Sequence, residues 1–210
     1  MNAEDGLTGL ILAGGKSTRF GSDKASALVA GRPMLQWVTD ALSGDCERLV
    51  IVRAAGQILP PLEIHCAASV VEDRWEARGP LAGLASGFPV VETEYCFATS
   101  CDAPLVQPDL IRALARLARG HDIALVEAGG RLNPLMAVYR PATCLPAFEQ
   151  AVERSDLKIT VAFAGLDVVV MEEACARTFD PGLLSLVNAN RPEALAEVES
   201  LLSNRPVQAQ

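Results

Sequence analysis

The stretch from Leu10 to Lys24, LILAGGKSTRFGSDK, decides the fold expected for this chain. It continues an apolar run typical of a central parallel strand that is buried on both faces, predicted over Leu7–Ala13. The chain then enters a glycine-rich loop that carries Lys16, Arg19 and Lys24. Free backbone amides in such a loop and fixed cations both favour a bound anion. The stretch therefore predicts a buried strand that leads into a polyphosphate-binding loop.

The charge balance of the chain makes this loop conspicuous. The 210 residues carry a net charge of −8, and two of the only three lysines lie in the loop. A sequence pI near 4.8 argues against a nucleic-acid partner, because phosphate backbones demand a broad basic face. No apolar run approaches the ~20 residues that a membrane-spanning helix needs. An anionic small molecule is therefore the expected ligand.

Strands and helices alternate along most of the chain. Strands are predicted at 7–13, 49–52, 70–73, 95–99, 123–126, 136–139 and 168–171, the last at a sheet edge. Helices are predicted at 34–42, 78–87, 108–118 and 144–153 and from Pro192 onward. This alternation predicts an α/β fold with a single doubly wound, mainly parallel sheet and helices on both faces. We expect one domain over residues 1–203 and a flexible tail over 204–210.

The arrangement of the cysteines and the composition of the N-terminal residues indicate the cellular compartment of the protein. The six cysteines form no C-x-x-C pair, and with only two histidines in the chain a zinc site is not expected. Dispersed thiols in so apolar a chain are typical of buried cysteines in a reducing cytoplasm. The segment Met1–Asp5 is acidic and lacks the basic flank of a secretory signal. We therefore expect a cytoplasmic protein.

The glycine loop differs from the two commonest phosphate loops. A Walker A loop that ended in Gly15-Lys16-Ser17 would need glycine at position 10, which is leucine here. No G-x-G-x-x-G pattern follows the strand, so a dinucleotide fingerprint is also excluded. The remaining alternative to a phosphate site is a surface turn rich in glycine and lysine.

Asp102 stands at the carboxyl end of the predicted strand 95–99, where open α/β sheets place their ligands. A carboxylate there can hold Mg²⁺, with Mn²⁺ as the alternative ion, between the phosphates of a nucleoside triphosphate. The competing interpretation is that Asp102 caps the helix after Pro104. A cationic loop on a neighbouring strand favours the metal site.

Several motifs together resemble those of a known family. They are Leu12-Ala13-Gly14-Gly15-x-x-x-Arg19-x-Gly21-x-Asp23-Lys24, Gly31–Leu35, Glu72-Asp73, Gly79–Gly83, Cys101–Pro104 and Asn188–Glu193. Their order resembles the sugar-nucleotide-type nucleotidyltransferases and is most similar to the molybdenum cofactor guanylyltransferases. The resemblance implies a Rossmann-like nucleotidyltransferase fold. It also implies an enzyme that transfers GMP from GTP to the terminal phosphate of molybdopterin and releases pyrophosphate.

The resemblance also assigns the site residues. The catalytic set is Arg19, Lys24 and Asp102, with Asp102 as the metal ligand. The nucleotide-binding set is Leu12, Ala13, Gly14, Gly15, Lys24, Asp73, Gly79, Pro80 and Asp102. Asn188 and Asn190 are implied to face the molybdopterin pocket. Transient contacts with other cofactor-biosynthesis proteins or with acceptor molybdoenzymes are a further expectation.

Several alternatives stay open from the sequence. The glycines at 79–83 could serve close packing of a helix start, and Asn188 and Asn190 a turn before a helix. A cytidylyltransferase that acts on the same cofactor and a non-catalytic nucleotide-binding module are the competing functions. The chain also departs from the family pattern at Arg53, where an asparagine often touches the nucleotide, and at Arg191, where threonine is usual.

Overall fold

The computed structural model describes residues 6–14, 23–190 and 192–203, without the side chains of residues 192 and 193. Several predicted features therefore lie outside the described residues. They are Gly15, Lys16, Arg19 and Gly21 of the glycine loop, Arg191 of the last motif, and the 204–210 tail.

Among the described residues, seven strands form the central sheet, and two more form a small hairpin. In chain order the strands are β1 (Leu7–Leu12), β2 (Leu28–Val29), β3 (Arg32–Pro33), β4 (Arg48–Arg53), β5 (Ala67–Glu72), β6 (Tyr95–Ser100), β7 (Ile123–Ala128), β8 (Arg131–Tyr139) and β9 (Val168–Met171). The sheet order is β5-β4-β1-β6-β8-β7-β9, with the β2–β3 hairpin apart from it. Within the seven-stranded sheet of the described residues, β8 alone runs antiparallel to its neighbours. The predicted mainly parallel sheet is confirmed.

In the part of the chain that the structure describes, six α-helices cover the sheet and its edge. They are α1 (Met34–Ser43), α2 (Gly79–Gly87), α3 (Pro108–Leu117), α4 (Pro141–Glu153), α5 (Glu173–Phe179) and α6 (Pro192–Ser203). Buried residues of α1, α3 and α5 pack on one face of the sheet, and those of α2 and α4 on the other. A third, smaller core joins α6 to the β2–β3 hairpin and to Leu105. None of the helices in the described residues is long and apolar enough to cross a membrane.

Strand β1 lies at the centre of the sheet and explains the unbroken apolar run of the sequence. Its Ile11 packs into the core on one face, and Leu10 and Leu12 pack into the core on the other. Every residue of β1 is buried. A strand covered by helices on both sides has no polar face, so its sequence does not alternate.

The parallel strands bring four loops to one edge of the sheet. The strand register places Leu12 opposite both Val52 and Ser100, so β1, β4 and β6 end side by side. Four segments begin at this edge. Ala13-Gly14 follows β1, and a turn follows Arg53 of β4. Asp73 follows β5, and Cys101-Asp102 follows β6. This carboxyl edge is where a ligand site is expected in an open α/β sheet.

Candidate active site

Lys24 and Asp102 meet across the carboxyl edge of the sheet. Lys24 opens a single 3-10 turn, Lys24–Ser26, whose N-cap is Asp23. The Lys24 Nζ lies 2.8 Å from Asp102 Oδ2, and the two side chains are 27% and 13% exposed. Two residues that are 78 positions apart in the sequence thus form a shielded ion pair at the end of β6.

The protein fixes the orientation of Asp102 by two further contacts. The hydroxyl of Ser100 donates a hydrogen bond to Asp102 Oδ1. The backbone carbonyl of Asp102 accepts from the buried Ala189 N–H at 2.8 Å. The N-cap of the next helix, α3, is Gln107, so the alternative in which Asp102 caps that helix is wrong. Its carboxylate instead faces Lys24.

The thiol of Cys101, which lies between the ends of β1 and β6, has low reactivity. Cys101 is buried, and its Sγ lies 3.9 Å from the carbonyl oxygen of Ala13. Burial, and next the negative charge of Asp102, raise the pKa of Cys101 to about 12. A thiol with so high a pKa stays protonated near neutral pH and is a poor nucleophile. Burial and this raised pKa therefore favour a packing role for Cys101.

The chain just after β1 is hydrogen-bonded to the end of β4. The N–H groups of Ala13 and Gly14 both donate to the Val52 carbonyl, at 2.8 and 3.2 Å. A Cβ added to Gly14 would lie 2.9 Å from the backbone nitrogen of Ala54. Of the predicted nucleotide-binding residues here, Leu12 and Ala13 are buried, whereas Gly14 is exposed at the edge. Only a residue without a Cβ lets these two segments approach so closely.

Asp73 is partly engaged within the protein. Its Oδ1 accepts from the Trp75 N–H at 3.0 Å and from the Ser86 hydroxyl at 2.9 Å. These bonds fix the loop between β5 and α2. The structure thus places Asp73 at the same edge as Asp102, with a local anchoring role in addition to the predicted nucleotide contact.

The helix that follows Asp73 starts with a glycine for conformational reasons. Gly79 has a φ of +74°, no atom would lie within 4 Å of a Cβ added there, and both it and Pro80 are exposed. Gly83, by contrast, faces Leu12, whose Cδ2 would lie 3.0 Å from an added Cβ. Close packing therefore accounts for Gly83, while the exposed Gly79 and Pro80 stay candidates for nucleotide contact.

The segment of Asn188 and Asn190 is attached directly to the Asp102 loop. Ala189, between the two asparagines, donates the hydrogen bond to Asp102, and the Asn190 N–H donates to the Asn188 carbonyl at 2.8 Å. Neither asparagine side chain hydrogen-bonds to another described residue, and Asn188 is exposed. The backbone of this segment therefore lies next to Asp102, and the role of the two amides in substrate binding stays a prediction.

Three residues near the site carried no assigned role in the sequence analysis. Asp23 and Ser100 border predicted site residues, and this adjacency is the signal that could have identified them. Gln57 lies in an irregular segment after β4, and no sequence pattern marks it. It donates hydrogen bonds to the Ala13 carbonyl at 3.0 Å and to Asp23 Oδ2 at 2.6 Å.

Arg53, the first departure from the family pattern, is turned toward protein groups. Its Nη1 donates to the Gln57 carbonyl at 2.6 Å, and its Nη2 forms an ion pair with Glu72 at 2.7 Å. Its Nε is buried without a partner among the described residues. The guanidinium group of Arg53 therefore stabilises the turn after β4.

The site offers a metal ion one carboxylate and not a complete cage. No group of three or more His, Cys, Asp or Glu side chains with metal-binding geometry occurs within residues 6–14, 23–190 and 192–203. Mg²⁺ is commonly held by one or two carboxylates together with substrate phosphates. Asp102 fits such an ion, which would arrive with a phosphorylated ligand.

Comparison with known proteins agrees with this geometry. The pattern of a MobA-like NTP transferase domain matches residues 9–167. A molybdenum cofactor guanylyltransferase of Desulfosudis oleivorans is 32% identical over 201 residues, which cover 94% of this chain and 96% of that protein. A probable molybdenum cofactor guanylyltransferase of Bacillus licheniformis is 35% identical over 193 residues, which cover 90% and 95%.

Solved structures share the fold. Molybdopterin-guanine dinucleotide biosynthesis protein A from Archaeoglobus fulgidus superposes with a TM-score of 0.77 at 22% identity, covering 94% of this chain and all of that one. The 2-C-methyl-D-erythritol 4-phosphate cytidylyltransferase of Thermus thermophilus gives a TM-score of 0.68 at 22% identity, with 93% and 98% covered. The sheet order, the paired Lys24 and Asp102 at its carboxyl edge, and near full-length sequence similarity agree, and the chain belongs to the MobA-like nucleotidyltransferases.

Proposed function

We propose that this nucleotidyltransferase moves GMP from GTP to the terminal phosphate of molybdopterin. An oxygen of that phosphate forms a bond to the α-phosphorus of GTP. The bond between this phosphorus and the oxygen that bridges to the β-phosphate breaks, and its electron pair leaves on pyrophosphate. The observation that carries the proposal is the Lys24–Asp102 pair, which offers a cation and a hard carboxylate at the edge where ligands bind.

The choice of substrates is supported by the relatives. Proteins that align with at least 90% of this chain at 32–35% identity are named molybdenum cofactor guanylyltransferases. The attacking phosphate is already an anion at neutral pH, so the reaction needs no protein nucleophile and no strong base. The protonated thiol of Cys101 fits such a site, because no covalent intermediate on a side chain is required.

The main task of the site is to offset repulsion between anions. Lys24 would bind phosphate oxygens and stabilise the charge of the in-line transition state, with Arg19 as its predicted partner. Lys24 can shift from Asp102 to a phosphate because its side chain is flexible and 27% exposed. Asp102 would then hold the metal ion that accompanies the triphosphate.

Mg²⁺ is the ion we propose for Asp102, with Mn²⁺ as the alternative. When bound, such an ion neutralises phosphate charge and polarises the reacting phosphoryl group. Ser100 keeps the carboxylate oriented through its bond to Oδ1. For the second substrate we propose Asn188 and Asn190, which flank the residue whose backbone is bonded to Asp102.

The proposed location and partners follow from the same features. All six cysteines are free thiols, which suits a reducing cytoplasm. The substrates we propose are small molecules. Transient delivery contacts with other cofactor-biosynthesis proteins or with acceptor molybdoenzymes stay a prediction.

A direct assay tests the proposal. The protein is incubated with molybdopterin, Mg²⁺ and either labelled GTP or labelled CTP, and dinucleotide and pyrophosphate are both quantified. We expect a guanine dinucleotide and one pyrophosphate per transfer, lost with EDTA and restored by added Mg²⁺. A dinucleotide formed only from CTP would overturn the base assignment. Tight GTP binding without pyrophosphate release would support a binding module instead.

A further inference from the structure

Gln57 joins the two ends of the glycine loop to the end of β4. Its Nε2 donates to the carbonyl of Ala13, at the start of the loop, and to the carboxylate of Asp23, at its end. Its Oε1 accepts from the backbone N–H of Ala54 at 2.8 Å.

Only a carboxamide can make this set of bonds at one side-chain tip. Ala54 presents a donor, whereas Ala13 and Asp23 present acceptors, so the tip must accept on one atom and donate twice from the other. The amide groups of glutamine and asparagine meet that requirement. A carboxylate at the same place would face the Asp23 carboxylate across a distance of about 2.6 Å. Like charges so close repel each other strongly.

Further hydrogen bonds, from the backbone and from Arg53, stabilise the turn that carries Gln57. The Gln57 N–H donates to the Ala54 carbonyl at 3.1 Å, and Gly56 between them has a φ of +70°, which favours glycine. Arg53 donates to the Gln57 carbonyl and pairs with Glu72 on the neighbouring strand β5. These bonds fix the Gln57 backbone, so its side chain is presented to the loop with little freedom.

The hydrogen bond from Gln57 to Asp23 is connected to the Lys24–Asp102 ion pair through the turn that Asp23 caps. Asp23 Oδ2 accepts the hydrogen bond from Gln57 Nε2, and Asp23 Oδ1 accepts a hydrogen bond from the Ala25 N–H at 3.2 Å. That second bond caps the turn that begins at Lys24. The orientation of Asp23 therefore sets the orientation of the turn that presents Lys24 to Asp102.

We infer that Gln57 is a positioning residue for the transfer reaction, which bonds to Ala13 and Asp23 and thereby holds the turn that presents Lys24 to Asp102. The inference rests on the proposed function, because the loop and Lys24 serve the triphosphate there. It also gives Arg53 a role, since the arginine that replaces the family's asparagine supports Gln57.

The test compares steady-state kinetics of three variants with the parent enzyme, using GTP, Mg²⁺ and molybdopterin. For Gln57→Ala we expect kcat/KM for GTP to fall by about tenfold to a hundredfold, because the catalytic groups lose their fixed placement. For Gln57→Glu we expect a larger loss, since the new carboxylate faces Asp23. In both variants the KM for molybdopterin should change by less than about threefold, since its contacts are made elsewhere.

A reciprocal exchange separates direct positioning from general destabilisation. In the double variant Gln57→Glu/Asp23→Asn, the new amide at position 23 can cap Ala25 with its oxygen and donate to the new carboxylate with its nitrogen. We expect this double variant to recover roughly tenfold in kcat/KM for GTP over Gln57→Glu alone. The matched control is Gln150→Ala, on the exposed surface of α4, which should match the parent enzyme.

The outcomes are distinct. Gln57→Ala and Gln57→Glu with kcat/KM for GTP within threefold of an active parent would overturn the inference. The inference would also be overturned if the double variant had a kcat/KM for GTP no higher than that of Gln57→Glu, while thermal unfolding showed that both variants are folded. A parent that makes no guanine dinucleotide would instead contradict the proposed function, independently of any Gln57 variant.

Discussion

The carboxylate of Asp102 needs a positive partner because it is only 13% exposed. Poorly solvated carboxylates are costly unless they are paired, and Lys24 Nζ at 2.8 Å supplies the pairing. The same two groups are the ones that we expect to meet a metal ion and the phosphates. Lys24 thus offsets the negative charge of Asp102.

Replacing either partner tests their role. We expect Lys24→Ala and Asp102→Ala each to lower turnover by about 10²- to 10³-fold, because a positioned charge that stabilises the transition state is lost. The measurement is pyrophosphate release with GTP and molybdopterin, with circular dichroism to verify folding. Lys158→Ala, an exposed lysine far along the chain, is the control. Turnover within threefold of the parent for either site variant would refute the assignment.

Gly14 offers a test of stability at the same edge. In Gly14→Ala the new Cβ would lie 2.9 Å from the Ala54 nitrogen, a backbone atom that cannot move freely. We expect a loss of roughly 1–3 kcal/mol in the free energy of unfolding, measured in urea without ligands.

A second glycine provides the control for that experiment. Gly44 ends α1 with a φ of −80°, and no atom lies within 4 Å of an added Cβ. Gly44→Ala should be neutral or stabilise by up to about 1 kcal/mol, because alanine restricts the unfolded chain. Equal stability of the two variants would contradict the close approach at Gly14.

Among the elements, α2 packs unusually close to the sheet. An added Cβ at Gly87 would lie 2.6 Å from Leu10 Cδ1 and 2.9 Å from Val52 Cγ2. A helix that contains Gly79, Gly83 and Gly87 has weak intrinsic propensity, so its packing on β1 and β4 must stabilise it. The position of the α2 N-terminus beside the site depends on this close contact.

A double-mutant cycle tests the contact between α2 and β1. We expect Gly87→Ala to destabilise the protein by roughly 1–3 kcal/mol through overpacking, and Leu10→Ala by roughly 2–5 kcal/mol through a cavity. The double variant should cost clearly less than the sum, because the new methyl group enters the space left by Leu10. Urea unfolding gives all three values. Strict additivity would show that the two side chains do not compete for space.

The elements that the sequence predicted well are those with a strong local pattern. The strands β1, β4, β6 and β7 are buried runs, and α3 begins at Pro108 as expected. The sequence analysis missed the β2–β3 hairpin, the helix α5 and the first half of β8. Strands of two residues have no periodicity, and the exposed start of β8 includes Pro134, which is atypical of a strand.

In the molecule as a whole, buried thiols link stability to pH. Burial raises the pKa of Cys101 and Cys144 from the ordinary 9.0 to about 12, and it also raises the pKa of Cys46 and Cys96 well above 9.0. Between pH 9 and pH 12 these thiols stay protonated in the folded state but ionise in the unfolded state. The unfolded state then binds fewer protons, so stability falls as the pH rises.

Removing one buried thiol should flatten this alkaline slope. We expect the free energy of unfolding to fall above pH 9, and Cys144→Ala to reduce the slope by up to about 1.4 kcal/mol per pH unit. Urea unfolding at several pH values between 8 and 11 measures it. Val50→Ala, which lowers stability without removing a titratable group, should leave the slope unchanged. An identical slope in the parent and in Cys144→Ala would contradict this linkage.

The alternation of the main strands and helices and the buried central strand could be predicted from sequence, because they depend on neighbouring residues, and motifs of fixed spacing predict Lys24 and Asp102 as site residues. The contact between those two side chains, the hydrogen bonds of Gln57 and the attachment of Ala189 to Asp102 could not. They join segments that are far apart along the chain, and they form only when β1, β4 and β6 end at one edge of the sheet. No local pattern in the sequence records which loops the parallel register will bring together.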